Sequence, residues 1–266
     1  MTILKTILHN LPIKLANSLV AHLILKSKIK LVDKYYKDVV LRGSNTIKMD
    51  LNKFDIGHQY LAFTGVYEND VTEKILKIKN GNSGLMVDVG ANYGYYSLLW
   101  ASENENNKVI CFEASPRNIH ALENNIKNNN LTQNVIIEKL AVSDQTCKVN
   151  FDLGPKDQTG WGGISATNNG ETTIEIDAIS LDEYFKDKTE QIKILKIDTE
   201  GADYLVIKGA ATLIKEKRIS HICWEENVGR AKQIGLQGGE AKIFLIEKGY
   251  HVEQVGSNEF HAFVKQ

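Results

Sequence analysis

The sequence predicts a doubly wound α/β fold with a mainly parallel sheet. Three observations carry this. From Leu85 onward, short apolar runs of strand length alternate with helical patterns, as βαβ units do. One such run places Ile192, Ile194, Leu195 and Ile197 on both sides of a strand, which requires cover on both faces. The tail then ends in two closing strands, "HVEQV" and "FHAFVK", where plain dinucleotide-binding folds do not usually end.

The totals fit that fold. A chain of 266 residues suits one large α/β domain with an N-terminal extension. Boundaries are expected at residues 1–45 for a basic amphipathic helical extension and 46–266 for the ligand-binding domain. A formal net charge of −1 lacks the basic footprint of a nucleic-acid binder. The three cysteines, Cys111, Cys147 and Cys223, form no C-x-x-C pair, which argues against a disulfide framework or zinc site. Cys111 and Cys223 read as buried, and a reducing, cytoplasmic location is expected. There is no apolar run long enough to span a bilayer, and lysines interrupt any signal-peptide core.

In chain order, the first 37 residues hold seven lysines against one acid, Asp33, and Leu11, Leu15, Leu19 and Leu23 suggest a helical stripe. Such a helix can lie on a membrane surface. The reading adopted is a helix that caps the domain or packs in a homo-oligomer. Residues 39–69 read as short strands and turns, with Gly65 in a turn, and Val71–Lys79 as a helix. "LMVDVG" is a strand, "YYSLLWASE" a helix and "VICFEA" a second strand. Ser115 and Pro116 mark a helix start, followed by an apolar face at Ile119, Leu122 and Ile126. "NVIIEKLAV" reads as one strand. "KVNFDL" and "TTIEIDAI" are strands flanking the glycine-rich "GPKDQTGWGG". A short helix at "LDEYF", a strand at "IKILKID", one helix over 202–216, a strand at "ISHICWEE" and a helix near 241–248 complete the pattern.

The strongest chemical signal is "VDVGANYGYYS". Asp88 ends a strand, Gly90 and Gly94 form the turn, and the following helix offers free N–H groups to an anion. The glycine spacing differs from G-x-G-x-x-G, and Asp88 would repel a pyrophosphate. A ligand with a sulfonium, an ammonium and a carboxylate, S-adenosyl-L-methionine, suits the pattern. Glu113, at the end of the second strand, is placed to accept ribose hydroxyls, and the stretch from Ala141 to Asp144, Val142 included, to line adenine. A second cluster, "LKIDTEG", collects Lys196, Asp198 and Glu200 at a neighbouring strand's carboxyl end, where open α/β sheets bind ligands. Trp224 and Glu225 end the next strand, at the same crevice.

These segments, with "CFEASPRNIHALENNIKNNN", "AVSD", "SLDEYF" and "LKIDTEGADYLVIKGA", resemble the FkbM-type methyltransferases from about Asp50 to the C-terminus. The upstream "GVYEND", which contains Glu68, resembles that family's Gly-x-Tyr-Glu segment. The resemblance implies a class I methyltransferase (Rossmann-like) fold and O-methylation of a hydroxyl on a sugar, glycan or small metabolite. It makes Asp88, Gly90, Asn92, Gly94, Glu113, Val142 and Glu68 cofactor residues, and sets Lys196, Asp198 and Glu200 near the reacting centre. Ala114 departs from the family's usual Pro, and "GADY" (Asp203, Tyr204) departs on the acceptor side.

An aliphatic hydroxyl needs a base, and Asp198 or Glu200 is the candidate, with Lys196 setting its charge and position. A divalent metal bridging Asp198 and Glu200 is the competing mechanism. Methylation of nucleic acid or protein and non-catalytic nucleotide binding are the alternatives. "IDTEG" in place of an Asn/Asp-Pro-Pro-aromatic run argues against base methylation.

Overall fold

Alternation along every central strand separates two hydrophobic cores, one on each face of a seven-stranded sheet. The computed structural model describes residues 3–44, 46–79, 83–168 and 171–264. Helices α1 (Ile3–Asn10) and α2 (Ile13–Leu19) lead through a π-helical turn at Val20–Ile24 to a two-stranded ladder, β1 (Val39–Val40) with β2 (Lys48–Met49). Next come α3 (Ile56–Thr64), α4 (Asn69–Lys79), β3 (Leu85–Val89), α5 (Tyr95–Ala101), β4 (Lys108–Phe112), α6 (Pro116–Asn128) and β5 (Val135–Glu138). An inserted small sheet holds β6 (Ala141–Val142), β7 (Cys147–Asp152), β8 (Gly163–Ile164) and β9 (Thr173–Ile179). The chain closes with α7 (Leu181–Tyr184), β10 (Ile192–Ile197), α8 (Asp203–Lys208), α9 (Ala211–Lys215), β11 (Ile219–Glu225), α10 (Val228–Gln233), α11 (Glu240–Glu247), β12 (His251–Gln254) and β13 (Glu259–Phe263).

The large sheet runs β12-β13-β11-β10-β3-β4-β5. Strands β3, β4, β5, β10 and β11 are parallel, and β13 is antiparallel to β11 and to β12. The fold is the expected class I methyltransferase α/β fold. The chain leaves β3 in one direction through β4 and returns on the other side at β10, so β3 and β10 flank the switch point. On one face Val87, Ile110, Leu195 and Ile222 pack beneath Leu181, Phe185, Val206 and Leu245. On the other, Met86, Val109, Ile194 and Cys223 pack beneath Leu98, Trp100 and Leu122. That second face also carries a polar row: Cys111, Asp88, Lys196, Cys223 and His261 are register partners across five strands.

The structure departs from the sequence reading in four places. Residues 56–64 are helical because Asp55 caps the start by accepting from His58 N, and Gly65 ends the helix in the left-handed region. This helix buries most of its circumference, so it shows no amphipathic period. The run 134–142 splits, with β5 joining the large sheet and β6 the small one. The helix expected over 202–216 breaks because Asp182 takes the amides of Thr212 and Leu213, capping α9, while its own N–H donates to Gly209 O. The N-terminal helices bury Leu8, Ala16, Val20 and Ile24 against the domain, and leave Leu15 and Leu23 exposed. Among the described residues no helix is long and apolar enough to cross a membrane.

Candidate active site

The carboxyl ends of β3, β4 and β10 open into a cleft of about 1210 Å³, its mouth included. Asp88, Gly90, Asn92, Glu113 and Val142 line one half, and Asp198, Thr199 and Glu200 the other.

In the first half, polar groups are held mostly by uncharged partners. Gly90 has φ 80°, and a Cβ there would lie 1.8 Å from Asp198 O, so the turn needs glycine for the neighbouring backbone as well as for its conformation. Gly94 has φ 89° as the cap of α5, and a Cβ there would meet Leu122 at 2.7 Å. Glu113 is buried and accepts from the amides of Asn92 (2.6 Å) and Ser115 (2.7 Å). Burial still pushes its carboxyl up to about 7 against those hydrogen bonds. Ser115 therefore contributes its amide here, and its hydroxyl does not cap α6. Asp88 accepts from Ser97 Oγ at 2.5 Å, and burial raises it to about 6. Leu140, Ala141 and Val142 form an apolar wall, whereas Asp144 pairs with Lys208.

These residues fit S-adenosylmethionine. Asn92 Oδ1 is buried, lines the cleft and finds no hydrogen-bond donor, which leaves an acceptor for an ammonium or hydroxyl. Glu113 and Asp88 add carboxylates, and Leu140–Val142 gives adenine an apolar surface.

In the second half, counter-charges hold the groups. Lys196 is 1 % exposed, with its Nζ 3.7 Å from both Glu68 and Asp198 and 5.1 Å from the centre of the Tyr96 ring. Burial alone would lower this lysine, but Glu68, Asp198, Asp88 and Glu225 outweigh it and raise its pKa, so the ammonium stays charged. Burial and the neighbouring acids Asp198 and Glu68 push Glu225 up to about 8. Glu68 is also raised, by burial first, although Tyr96 OH donates to it at 2.7 Å. Glu68, expected from the resemblance to be a cofactor residue, lies beside Lys196 and is not among the residues that line the cleft. Glu225 joins the same cluster. Trp224 instead stacks on Phe260 at 5.2 Å.

Glu200 turns toward α10. It accepts from Asn227 Nδ2 at 3.0 Å and faces Arg230 at 3.9 Å, and burial with the Asp198 charge raises it to about 7. Asp203 holds the turn between Asp198 and Glu200 by accepting from the amides of Thr199 and Gly201. Of six described non-glycine residues with positive φ, three belong to this site: Glu68, Asn92 and Glu200.

Oxygens of Glu68, Asp198 and Glu225 lie within 4.8 Å of one another, a spacing a divalent cation can span. Lys196 already supplies positive charge to that cluster. The pair considered from sequence, Asp198 with Glu200, is not the group with ligand spacing, because Glu200 is turned to Asn227 and Arg230.

Sequence reading missed the segment that roofs the cleft. Residues 159–162 lie over it, with Thr159 bonded through its amide and hydroxyl to Asp55, Asn118 Nδ2 donating to Thr159 O, and Arg230 donating to Trp161 O. His58, its ring 4.5 Å from that of Tyr93, lines the wall and is held neutral by burial. A helix cap at Asp55 was the one local signal that could have revealed this wall.

A family model described as a methyltransferase FkbM domain matches residues 88–252. No curated protein shows significant similarity to the chain. Among solved structures, precorrin-6y C5,15-methyltransferase from Geobacter metallireducens is 13 % identical with TM-score 0.45, covering 75 % of this chain and 90 % of that one. A methyltransferase of Podospora anserina bound to S-adenosylhomocysteine is 10 % identical with TM-score 0.43, covering 73 % and 77 %. An S-adenosylmethionine-dependent O-methyltransferase from Thermotoga maritima is 10 % identical with TM-score 0.44, covering 76 % and 67 %.

Proposed function

Because the chain belongs to the FkbM methyltransferase family and is an S-adenosylmethionine-dependent methyltransferase, we propose that it O-methylates a hydroxyl of a sugar, glycan or small metabolite. One observation carries the reading: Asp198 and Glu200 line the same cleft as Asp88, Asn92 and Glu113, so a proton acceptor stands beside the cofactor half.

Bound S-adenosylmethionine supplies an electrophilic methyl group. The chain's residues bind, align and deprotonate. Glu113 and Asn92 would hold the ribose and the amino-acid end, and Val142 would give the adenine an apolar surface. Asp198, beside Lys196, orients the acceptor hydroxyl. Glu200 takes its proton, and a carboxyl near 7 is matched to that task at neutral pH. Arg230 and Asn227 keep Glu200 in place. Lys196 supplies the fixed charge that a metal would otherwise bring, so turnover is expected to survive chelators.

The test is methyl transfer by Glu200→Gln and Asp198→Asn with a panel of sugar and metabolite hydroxyls. Loss of turnover with cofactor binding intact supports the reading. A nitrogen acceptor methylated in preference to every hydroxyl contradicts it.

A further inference from the structure

Among the described residues, large apolar side chains of the N-terminal segment are left exposed, and their setting points to one kind of occupant. Its inner face is fixed to the domain: Leu8, Ala16, Val20 and Ile24 are buried, the Arg42 guanidinium bonds the carbonyls of Leu8, His9 and Leu11, and Lys5 reaches Tyr35 O. With the orientation set, Ile3, Ile7, Leu15, Leu23, Ile29 and Leu31 are left facing solvent, Ile3 at 82 % and Leu23 at 58 %. Exposed lysines stand among them at Lys14, Lys26, Lys28 and Lys34. The segment's acid, Asp33, is bonded to Lys53 at 2.7 Å, so it does not offset them. Scattered exposed leucines are ordinary, but an apolar face interleaved with one sign of charge is not.

We infer that this face docks on an anionic lipid surface, with the isoleucines and leucines entering the acyl boundary and the lysines meeting headgroup phosphates. Both attractions are needed for stable surface binding, and both are present. A second copy of the chain suits the face less well. A two-fold contact would bring two faces of the same positive sign together, which opposes association. The Asp33–Lys53 pair ties the segment to the loop where exposed Phe54 and Ile56 flank Asp55, the residue that bonds Thr159. The inference stands whatever the acceptor is.

Flotation of the full chain with vesicles tests it. The chain should float with phosphatidylcholine mixed with phosphatidylglycerol, stay behind with phosphatidylcholine alone, and lose binding as salt rises. Leu15→Glu with Leu23→Glu should abolish flotation while leaving the melting temperature and cofactor affinity unchanged. Lys26→Gln and Lys28→Gln should each weaken partitioning by about fivefold. Should the glutamate pair misfold, Ile3→Ser with Ile7→Ser asks the same question at another exposed pair. Absence of flotation with anionic vesicles, or flotation unaltered in the folded variants, overturns the inference. So does a dimer, measured by analytical ultracentrifugation, that dissociates on Leu15→Glu with Leu23→Glu, because a second copy then covers the face.

Discussion

The two halves of the cleft solve the same problem, burying carboxylates, in different ways. At the ends of β3 and β4, Glu113 and Asp88 are held by backbone amides and a serine hydroxyl. At the ends of β10 and β11, Glu68, Asp198 and Glu225 gather round a buried ammonium. Neutral donors fix geometry and leave lone pairs for a ligand, which suits a binding site. Counter-charges let protonation respond to a neighbour's charge, which suits a site where a proton moves. On the proposed function, the first half would bind the cofactor and the second would carry the chemistry.

The largest expected effect strikes the backbone where the halves meet. Gly90→Ala places a Cβ 1.8 Å from Asp198 O at a position with φ 80°. It should cost more than about 4 kcal/mol, read as a chain that fails to refold in urea titration. A near-normal transition would mean that β3 and β10 are not joined as closely as described.

Removing the counter-charge comes next. Lys196→Met leaves three carboxyls without their cation and should cost about 3–5 kcal/mol. The sign with pH is defined. Glu225, at about 8, and Glu68 already sit above their ordinary values, and losing Lys196 raises them further. A carboxyl raised in the fold destabilises it increasingly as pH rises past the unfolded value, so the loss should be small at acid pH and largest above neutrality. Urea midpoints measured at both ends of that range check this. A pH-independent loss would mean a packing defect alone.

Glu200→Gln should lower kcat about 10²–10⁴-fold and remove the rise of rate with pH through about 7 that Glu200 gives the parent enzyme. A surviving rise would move the base to another carboxyl. Glu113→Gln should act on the other half, weakening S-adenosylmethionine about 10–100-fold through lost charged hydrogen bonds of about 1.5–3 kcal/mol. Calorimetric titration reads this directly, and unchanged affinity would take Glu113 out of the binding half.

The same contrast decides what could be read from sequence. The first half was legible because strand end, glycine turn and helix start are contiguous in "VDVGANYGYYS", and Glu113 lies one βα unit on. Lys196 and Asp198 were legible as neighbours for the same reason. The cluster was not, because Glu68 comes from the loop before α4 and Glu225 from β11, and only the sheet order brings them to Lys196. The roof was hidden more deeply: Thr159 and Asp55 are 104 residues apart and meet through one buried carboxylate. The N-terminal stripe misled because helical spacing alone does not say which face is covered. Ala16, Val20 and Ile24 are buried, while Leu15 and Leu23, one position away, are exposed.

The division of labour is tested most directly by methyl transfer to an identified hydroxyl acceptor, measured at saturating S-adenosylmethionine with the Asp198→Asn, Glu200→Gln double variant. Both side chains line the cleft, and neither is among the groups that hold Glu113 or Asp88. The account predicts a protein that still saturates with cofactor and transfers no detectable methyl. Full turnover by that doubly neutralised protein would contradict it and reduce Asp198, beside Lys196, and Glu200, beside Arg230, to structural ion-pair partners at a strand end.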